Sequence, residues 1–376
     1  MERSGSETRV RVDLPEVPER GYDIIIGEGV LSLLPELLRA HCPAHRYAVI
    51  SDDRVAGLYG DKVRQSLAAA GITADLFTFP AGEVHKTRAS WERLSDALFD
   101  AGLGRDAAVL ALGGGVTGDL AGFVAATYMR GLPLVQIPTT LLAMIDSSVG
   151  GKTGVDTPAG KNLIGAFLQP RFVLADTAVL KTLPARELLA GLVEAVKHGA
   201  IADTEYFAWM EAQLPAVLAL RPDAVAHLVS RSVKIKADVV TRDEREGGLR
   251  KTLNFGHTIG HAVEALSGFS LLHGEAIAIG LVAEARLGEA LGITVAGTAE
   301  ALRTLLARME MPVSLPQGMD PAAVVAATRT DKKARSGRVE YSLIERIGAA
   351  YPAGGRWSVA VEDVEVMGVL GDFAQS

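Results

Sequence analysis

The sequence predicts a parallel α/β unit followed by a mainly helical one, and three observations carry that expectation. The first half alternates short β-branched runs with stretches of helical periodicity; the run AAVLAL passes straight into a glycine-rich turn; and from about Leu183 to about Leu306, Ala/Leu/Glu/Arg-rich segments replace the β-branched runs. In order, the predicted strands are YDIIIG, YAVISDD, DLFTFP, AAVLALGGG and PLVQIPTT, with the helical patterns KVRQSLAAAG and WERLSDALFDAG among them. Strands that alternate with helices build a mostly parallel sheet covered by helices. The change of character falls within DTAVLKTLP, residues 176–184, where Pro184 can open the first helix of the second part.

With 376 residues and 48% hydrophobic content, the chain is long enough for two real cores. The lone Cys42 excludes an intrachain disulfide and a cysteine-rich zinc site, so a metal has to be held by His and carboxylate. The N-terminal MERSGSETRVRVDLPEVPER lacks an apolar h-region, and no run reaches the roughly 18 apolar residues that span a bilayer. A cytoplasmic protein is the expectation. A net charge of −7 with no basic tail argues against nucleic acid, and an anionic substrate would need a local cluster of cations.

Residues 251–273 hold three of the eight histidines, His257, His261 and His273, together with Asn254. Neutral imidazoles at that density point to a divalent metal. A helix over 254–266 would put His257 and His261 one turn apart on one face, as in HExxH metalloproteases. Thr258 stands where the protease needs its Glu, so that chemistry fails. Upstream, ARELLAGLVEAVKHGA places Glu194 three residues before Lys197, with His198 one turn from Glu194, on a helix whose neighbours are apolar. A carboxylate buried there needs a partner or a metal, which makes Glu194 a candidate third ligand.

Gly113-Gly114-Gly115-Val116-Thr117-Gly118-Asp119 satisfies G-x-G-x-x-G between a strand and a helix, where a pyrophosphate can approach the backbone and the helix N-terminus. The motif follows a late strand, and the acid for a ribose would come from Asp52 or Asp53. Asp146 to Thr153 ends like a P-loop, but Asp146 occupies the position of the required Gly. Lys152, Lys161 and Asn162 on these loops can grip a phosphate, and Lys236 and Arg250 add two cations just before the histidines.

GGGVTGDLAGF, IPTTLLAMIDSSVGGKTGVD, GKNLIGAFLQP, LVEAVKHG, DEREGGLRKTLNFGHTIGHAVEA and HGEAIAIGL, in this order, resemble 3-dehydroquinate synthases, members of the sugar phosphate cyclase superfamily. The resemblance runs from about Tyr22 to Gly348. It implies an α/β, Rossmann-like nucleotide-binding domain over 1–178, an all-α metal- and substrate-binding domain over 179–376, a cleft between them, and a homodimer. It further implies a carbon–oxygen lyase of the shikimate pathway that uses NAD and a divalent ion, Zn2+ or Co2+. The reaction implied takes 3-deoxy-D-arabino-heptulosonate 7-phosphate to 3-dehydroquinate and phosphate.

Carried onto this chain, the resemblance makes Glu194, His257 and His273 the metal ligands. Lys152, Asn162, Lys197, Asn254 and His261 would serve the phosphate end, with Arg130 reaching in from the other subunit and Lys332 or Lys333 assisting. Lys236 and Arg250 would clamp the substrate carboxylate, and Asp146 would meet a substrate hydroxyl or NAD. The nucleotide would lie along Asp52, Glu83, Lys86, Gly115, Val116, Thr117, Gly118, Asp119, Thr139, Thr140, Lys152, Lys161, Lys181 and Thr182. The alternatives are a sibling cyclase acting on sedoheptulose 7-phosphate or glucose 6-phosphate, which lack the carboxylate, and a metal-dependent polyol dehydrogenase that releases NADH.

Overall fold

The computed structural model describes residues 21–158, 160–268, 270–329 and 339–373. The N-terminal half opens with β1 (Asp23–Gly27), α1 (Leu34–His41) and β2 (Arg46–Asp52). A helical stretch follows as α2 (Asp53–Val55), loosens into π-type turns over Ala56–Gly60 and continues as α3 (Asp61–Ala69). Next come β3 (Ala74–Phe79), α4 (Arg88–Asp100), β4 (Ala107–Gly113), α5 (Gly115–Thr127) and β5 (Leu134–Pro138). An antiparallel hairpin, β6 (Lys152–Thr157) and β7 (Gly160–Phe167), precedes β8 (Phe172–Asp176).

Six strands form one parallel sheet in the order β1-β8-β5-β4-β2-β3. Its strands read as nearly continuous apolar runs because both faces are covered. On β2, Ala48 and Ile50 pack into one core, while Tyr47 and Val49 pack into the core on the opposite face. The chain reverses its direction of travel across the sheet between β2 and β4, so their carboxyl ends, Asp52 and Gly113, frame a crevice where α/β sheets bind ligands.

The C-terminal half is built from α6 (Ala185–Ala202), α7 (Thr204–Leu218), α8 (Pro222–Arg242), α9 (His257–Leu266), α10 (His273–Ala290), α11 (Thr298–Arg308) and α12 (Pro321–Thr328). It is not purely helical. Beyond residue 338 lie two antiparallel pairs, β9 (Val339–Tyr341) with β12 (Val359–Val361), and β10 (Ile344–Arg346) with β11 (Ala349–Ala350), before α13 (Asp363–Phe373) closes the described chain. These strands are two or three residues long, too short for a periodicity argument.

Three helices that carry site residues are pressed together by glycines. A Cβ on Gly274 of α10 would lie 2.1 Å from the Ala190 carbonyl oxygen of α6, and one on Gly280 would lie 1.9 Å from the carbonyl oxygen of Gly256. Gly256 precedes α9 with φ +79°, a left-handed conformation that costs glycine little. The fully buried carboxylate of Glu284 accepts from the Gly256 and Ile259 amides at 2.7 and 3.0 Å, satisfying donors that the start of α9 leaves open. Gly280→Ala is therefore expected to push α9 off α10 and cost about 1–3 kcal/mol of stability. A shift of the urea midpoint measures it, and an unchanged midpoint would show that this contact is not tight.

Candidate active site

The prediction of one helix over 254–266 is corrected at its start. Residues Leu249–Asn254 form a 3-10 turn, Phe255 is extended, and Gly256 turns left-handed, so Asn254 sits on the turn before the histidine helix. His257 and His261 do share α9, and His273 opens α10, so the two helix starts bring three imidazoles together. One ring nitrogen from each lies within 4.8 Å of the others.

Glu194 projects from α6 into this group and is completely buried. Its Oε1 lies 3.5 Å from Nε2 of His257 and 3.5 Å from Nε2 of His273. Two donors each about 2.0–2.1 Å from a tetrahedral zinc are about 3.3–3.4 Å apart, so both of these spacings suit a bound ion. The Nδ1 of His257 meets the Phe255 carbonyl at 3.1 Å, which leaves Nε2 as the coordinating nitrogen. Burial and the nearby Lys197 ammonium hold His257 well below its usual pKa and keep it neutral. Burial disfavours a charge on Glu194, but Lys197 and His257 outweigh it and hold the carboxyl well below its usual range. His273 behaves oppositely: burial opposes its charge, yet Glu194 and Glu264 raise it to about 9 in the metal-free protein. A bidentate pair, Arg186 with Glu275 at 2.6 Å, ties the first turn of α6, the helix of Glu194, to that of α10, which His273 opens.

Beside this triangle lies a chain of charges. Lys197 pairs with Glu194 and stands 3.9 Å from Asp146, whose other oxygen meets Lys236. Burial would raise Asp146, but Lys236 and Lys197 hold it far below the ordinary range; burial lowers Lys236 against the pull of Asp146. Arg250 is 2% exposed, and its guanidinium donates to the carbonyls of Glu244 at 2.5 Å and Gly150 at 3.0 Å. Those bonds leave further N–H donors of the fork available. Lys152 meets Glu246 at 2.5 Å, and Asn254 donates to the same carboxylate at 2.9 Å.

The G-x-G-x-x-G stretch falls between a strand and a helix, as expected. α5 starts at Gly115 with no side-chain cap, so its first amides face the crevice unclaimed by a side chain. A Cβ on Gly114 would come within 3.0 Å of Thr140, and one on Gly115 within 3.1 Å of Ser147. Thr117 donates to Asp52 at 3.2 Å, and Asp53 instead accepts from the Ala81 amide at 3.0 Å. Among the described residues the buried Thr139 hydroxyl has no hydrogen-bond partner, and it faces the cleft. Across the crevice Lys86, 3% exposed, is ringed by Glu83 at 2.9 Å, Asp119 at 3.3 Å and Asp156 at 3.7 Å. Burial pushes Asp119 up to about 6 despite Lys86.

One cleft of about 1220 Å³ joins the two groups. Its wall on the sheet side includes Asp52, Glu83, Lys86, Gly115, Val116, Thr117 and Asp119, with Thr139, Thr140, Asp146 and Thr182. Lys152, Lys161 and Asn162 reach it from the hairpin; Lys197, Lys236, Arg250, Asn254, His257, His261 and His273 come from the helical half. Four of the expected residues do not line it, among them Glu194, which is completely buried and meets the cleft only through His257 and His273. Gly118 turns away because it packs on the sheet, where a Cβ would lie 2.9 Å from Gln136. Lys181 is exposed and paired with Glu28 at 2.6 Å. Arg130 is exposed on the 3-10 turn Tyr128–Arg130 that follows α5, with φ +71°, and lies outside the cleft. Lys332 and Lys333 lie outside the described residues. Motif reading also passed over four carboxylates that line the cleft, Glu187, Glu246, Glu264 and Glu340. Glu264 was visible as the residue two helical turns after His257, on the same face.

Residues 76–190 match the family model described as the N-terminal part of 3-dehydroquinate synthase, and residues 191–334 match its C-terminal part. The chain is 51% identical to the 3-dehydroquinate synthase of Symbiobacterium thermophilum, over 89% of this chain and 94% of that one. Among solved structures it is similar to 2-epi-5-epi-valiolone synthase from Streptomyces hygroscopicus with NAD+ and Zn2+ bound, with a TM-score of 0.87, 30% identity and coverage of 97% and 99%. It is also similar to a 2-deoxy-scyllo-inosose synthase complexed with carbaglucose-6-phosphate, NAD+ and Co2+, with a TM-score of 0.86, 27% identity and coverage of 94% and 97%. Two adjoining family models that meet within helix α6, and a relative matched along nearly its whole length, place the chain in the 3-dehydroquinate synthase family.

Proposed function

We propose that the cleft converts 3-deoxy-D-arabino-heptulosonate 7-phosphate to 3-dehydroquinate and phosphate, with NAD and one divalent ion, Zn2+ or Co2+, as cofactors. The observation that carries this reading is the single cleft in which a buried carboxylate and imidazoles adjoin four cations, Lys152, Lys197, Lys236 and Arg250, and an uncapped helix N-terminus. Identity of 51% to a 3-dehydroquinate synthase, against 27–30% to the two sibling cyclases, supports the choice of substrate. We place the nucleotide-binding domain at 1–178 and the metal- and substrate-binding domain at 179–376, in a cytoplasmic homodimer. Arg130 then acts across the subunit interface, which suits its position outside its own cleft.

When bound, the ion supplies a Lewis acid that acidifies a substrate hydroxyl, and the nucleotide supplies a hydride acceptor. Glu194, His257 and His273 would hold the ion, and the N-terminus of α5 with Asp52, Lys86 and Asp119 would hold the nucleotide. Everything else falls to the chain's own groups. Oxidation at C5 makes the neighbouring C–H acidic, so phosphate can leave, and the departing phosphate can itself accept that proton. Lys152, Lys197, Asn162, Asn254 and His261 neutralise and hold it, while Lys236 and Arg250 anchor the carboxylate at the far end. Asp146 lies between Lys197 on the phosphate side and Lys236 on the carboxylate side. Reduction, ring opening and aldol closure then need a held substrate more than new catalytic groups.

This sequence returns the hydride before release. NAD is therefore expected to be needed only in catalytic amount, and absorbance at the NADH band should not rise as product forms. NADH accumulating in step with product would favour a polyol dehydrogenase.

A further inference from the structure

Glu264 sits on α9, 4% exposed, between the histidine group and the nucleotide wall. Its Oε2 lies 3.5 Å from Nδ1 of His273, and the other nitrogen of that ring faces Glu194 at 3.5 Å. Its Oε1 accepts from Lys161 Nζ at 2.8 Å. Lys161 in turn lies 3.5 Å from Glu83, which holds Lys86 at 2.9 Å. An unbroken line of charged groups thus runs from the wall under α5 to an imidazole of the ion site.

An imidazole coordinates through an unprotonated nitrogen, so the proton must sit on the other one, and whatever accepts that proton's hydrogen bond also fixes the rotation of the ring. The Phe255 carbonyl does this for His257. At His273 the acceptor within reach of Nδ1 is Glu264. We infer that Glu264 is a positioning residue: it aims Nε2 of His273 at the ion and, through Lys161, ties that aim to the nucleotide wall across the cleft. The inference rests on Glu194, His257 and His273 being the ligands. Because the link is energetic, it works both ways: a disturbance of Lys161 alters ion affinity, and occupation of the ion site alters the hold on Lys161.

The test is the zinc dissociation constant, measured by competition with a chelator of known affinity on the full chain. Glu264→Gln keeps the side-chain volume and an acceptor oxygen, Glu264→Ala removes both, and circular dichroism of each metal-free variant reports folding. Glu264→Ala is expected to bind zinc about 10–100-fold more weakly and Glu264→Gln, which keeps an acceptor, to lose less, and the visible spectrum of the cobalt-loaded Glu264→Ala protein should differ from that of the wild type. Lys161→Met is expected to shift the constant in the wild-type background and to leave it unchanged in the Glu264→Ala background. Unchanged zinc affinity in folded Glu264→Gln and Glu264→Ala overturns the positioning role. An equal effect of Lys161→Met in both backgrounds, or none in either, overturns the link to the nucleotide wall. If the wild type itself takes up no zinc or cobalt, the ligand assignment fails and the inference fails with it.

Discussion

His273→Ala is expected to lose the bound ion and turnover together, whereas His261→Ala is expected to keep the ion and turn over poorly. Both imidazoles border the same space, so spacing along the helix alone would favour His257 with His261. The arrangement around Glu194 favours the other pair, because one carboxylate oxygen lies 3.5 Å from Nε2 of both His257 and His273. Removing His273 would leave two ligands from the chain, and a site with an open position for substrate needs three. Removing His261 would take away the group proposed to hold the leaving phosphate, with an expected loss of turnover of about 10²-fold or more. Metal analysis of the two purified variants decides between them. One equivalent of zinc in the His273 variant and none in the His261 variant would reverse the assignment.

Arg250→Ala is expected to weaken the carboxylated substrate far more than a carboxylate-free analogue. The guanidinium is nearly sealed from water and already anchored on the Glu244 and Gly150 carbonyls, so little freedom is lost when its remaining donors meet a carboxylate. Burial also lowers its pKa, a sign that the charge is held in a desolvated setting that an anion would relieve. Losing such a pair costs on the order of 2–5 kcal/mol, whereas the analogue has no matching group to lose. Comparing wild type and variant against both ligands isolates the pairwise part. Equal losses would assign Arg250 to the phosphate or to the fold.

Much of this molecule was legible in its sequence because the parallel strands are buried on both faces and the helices are amphipathic or apolar throughout. The strand AAVLAL and the helix after Gly115 fell where the motif put them, and the buried setting of Glu194 followed from its apolar neighbours. What escaped depends on tertiary contact. The break at Phe255 and Gly256 exists because Gly280 of another helix approaches there and Glu284 caps the new start. Gly118 fits the nucleotide pattern but serves packing on Gln136, which no spacing rule separates from ligand contact. Glu246 and Glu264 act by pairing with lysines far away in the chain, Lys152 at 94 positions and Lys161 at 103, and such partners have no local signature.

The central claim is that one cleft carries oxidation, phosphate loss, reduction and ring closure on a carboxylated sugar phosphate. The most direct measurement incubates the metal-loaded protein with 3-deoxy-D-arabino-heptulosonate 7-phosphate and a trace of NAD, and follows inorganic phosphate and carbocyclic product together. The account predicts equimolar phosphate and 3-dehydroquinate far in excess of the NAD supplied, with sedoheptulose 7-phosphate and glucose 6-phosphate turned over poorly. Phosphate released without a carbocycle, or faster turnover of the sugars that lack a carboxylate, would contradict it.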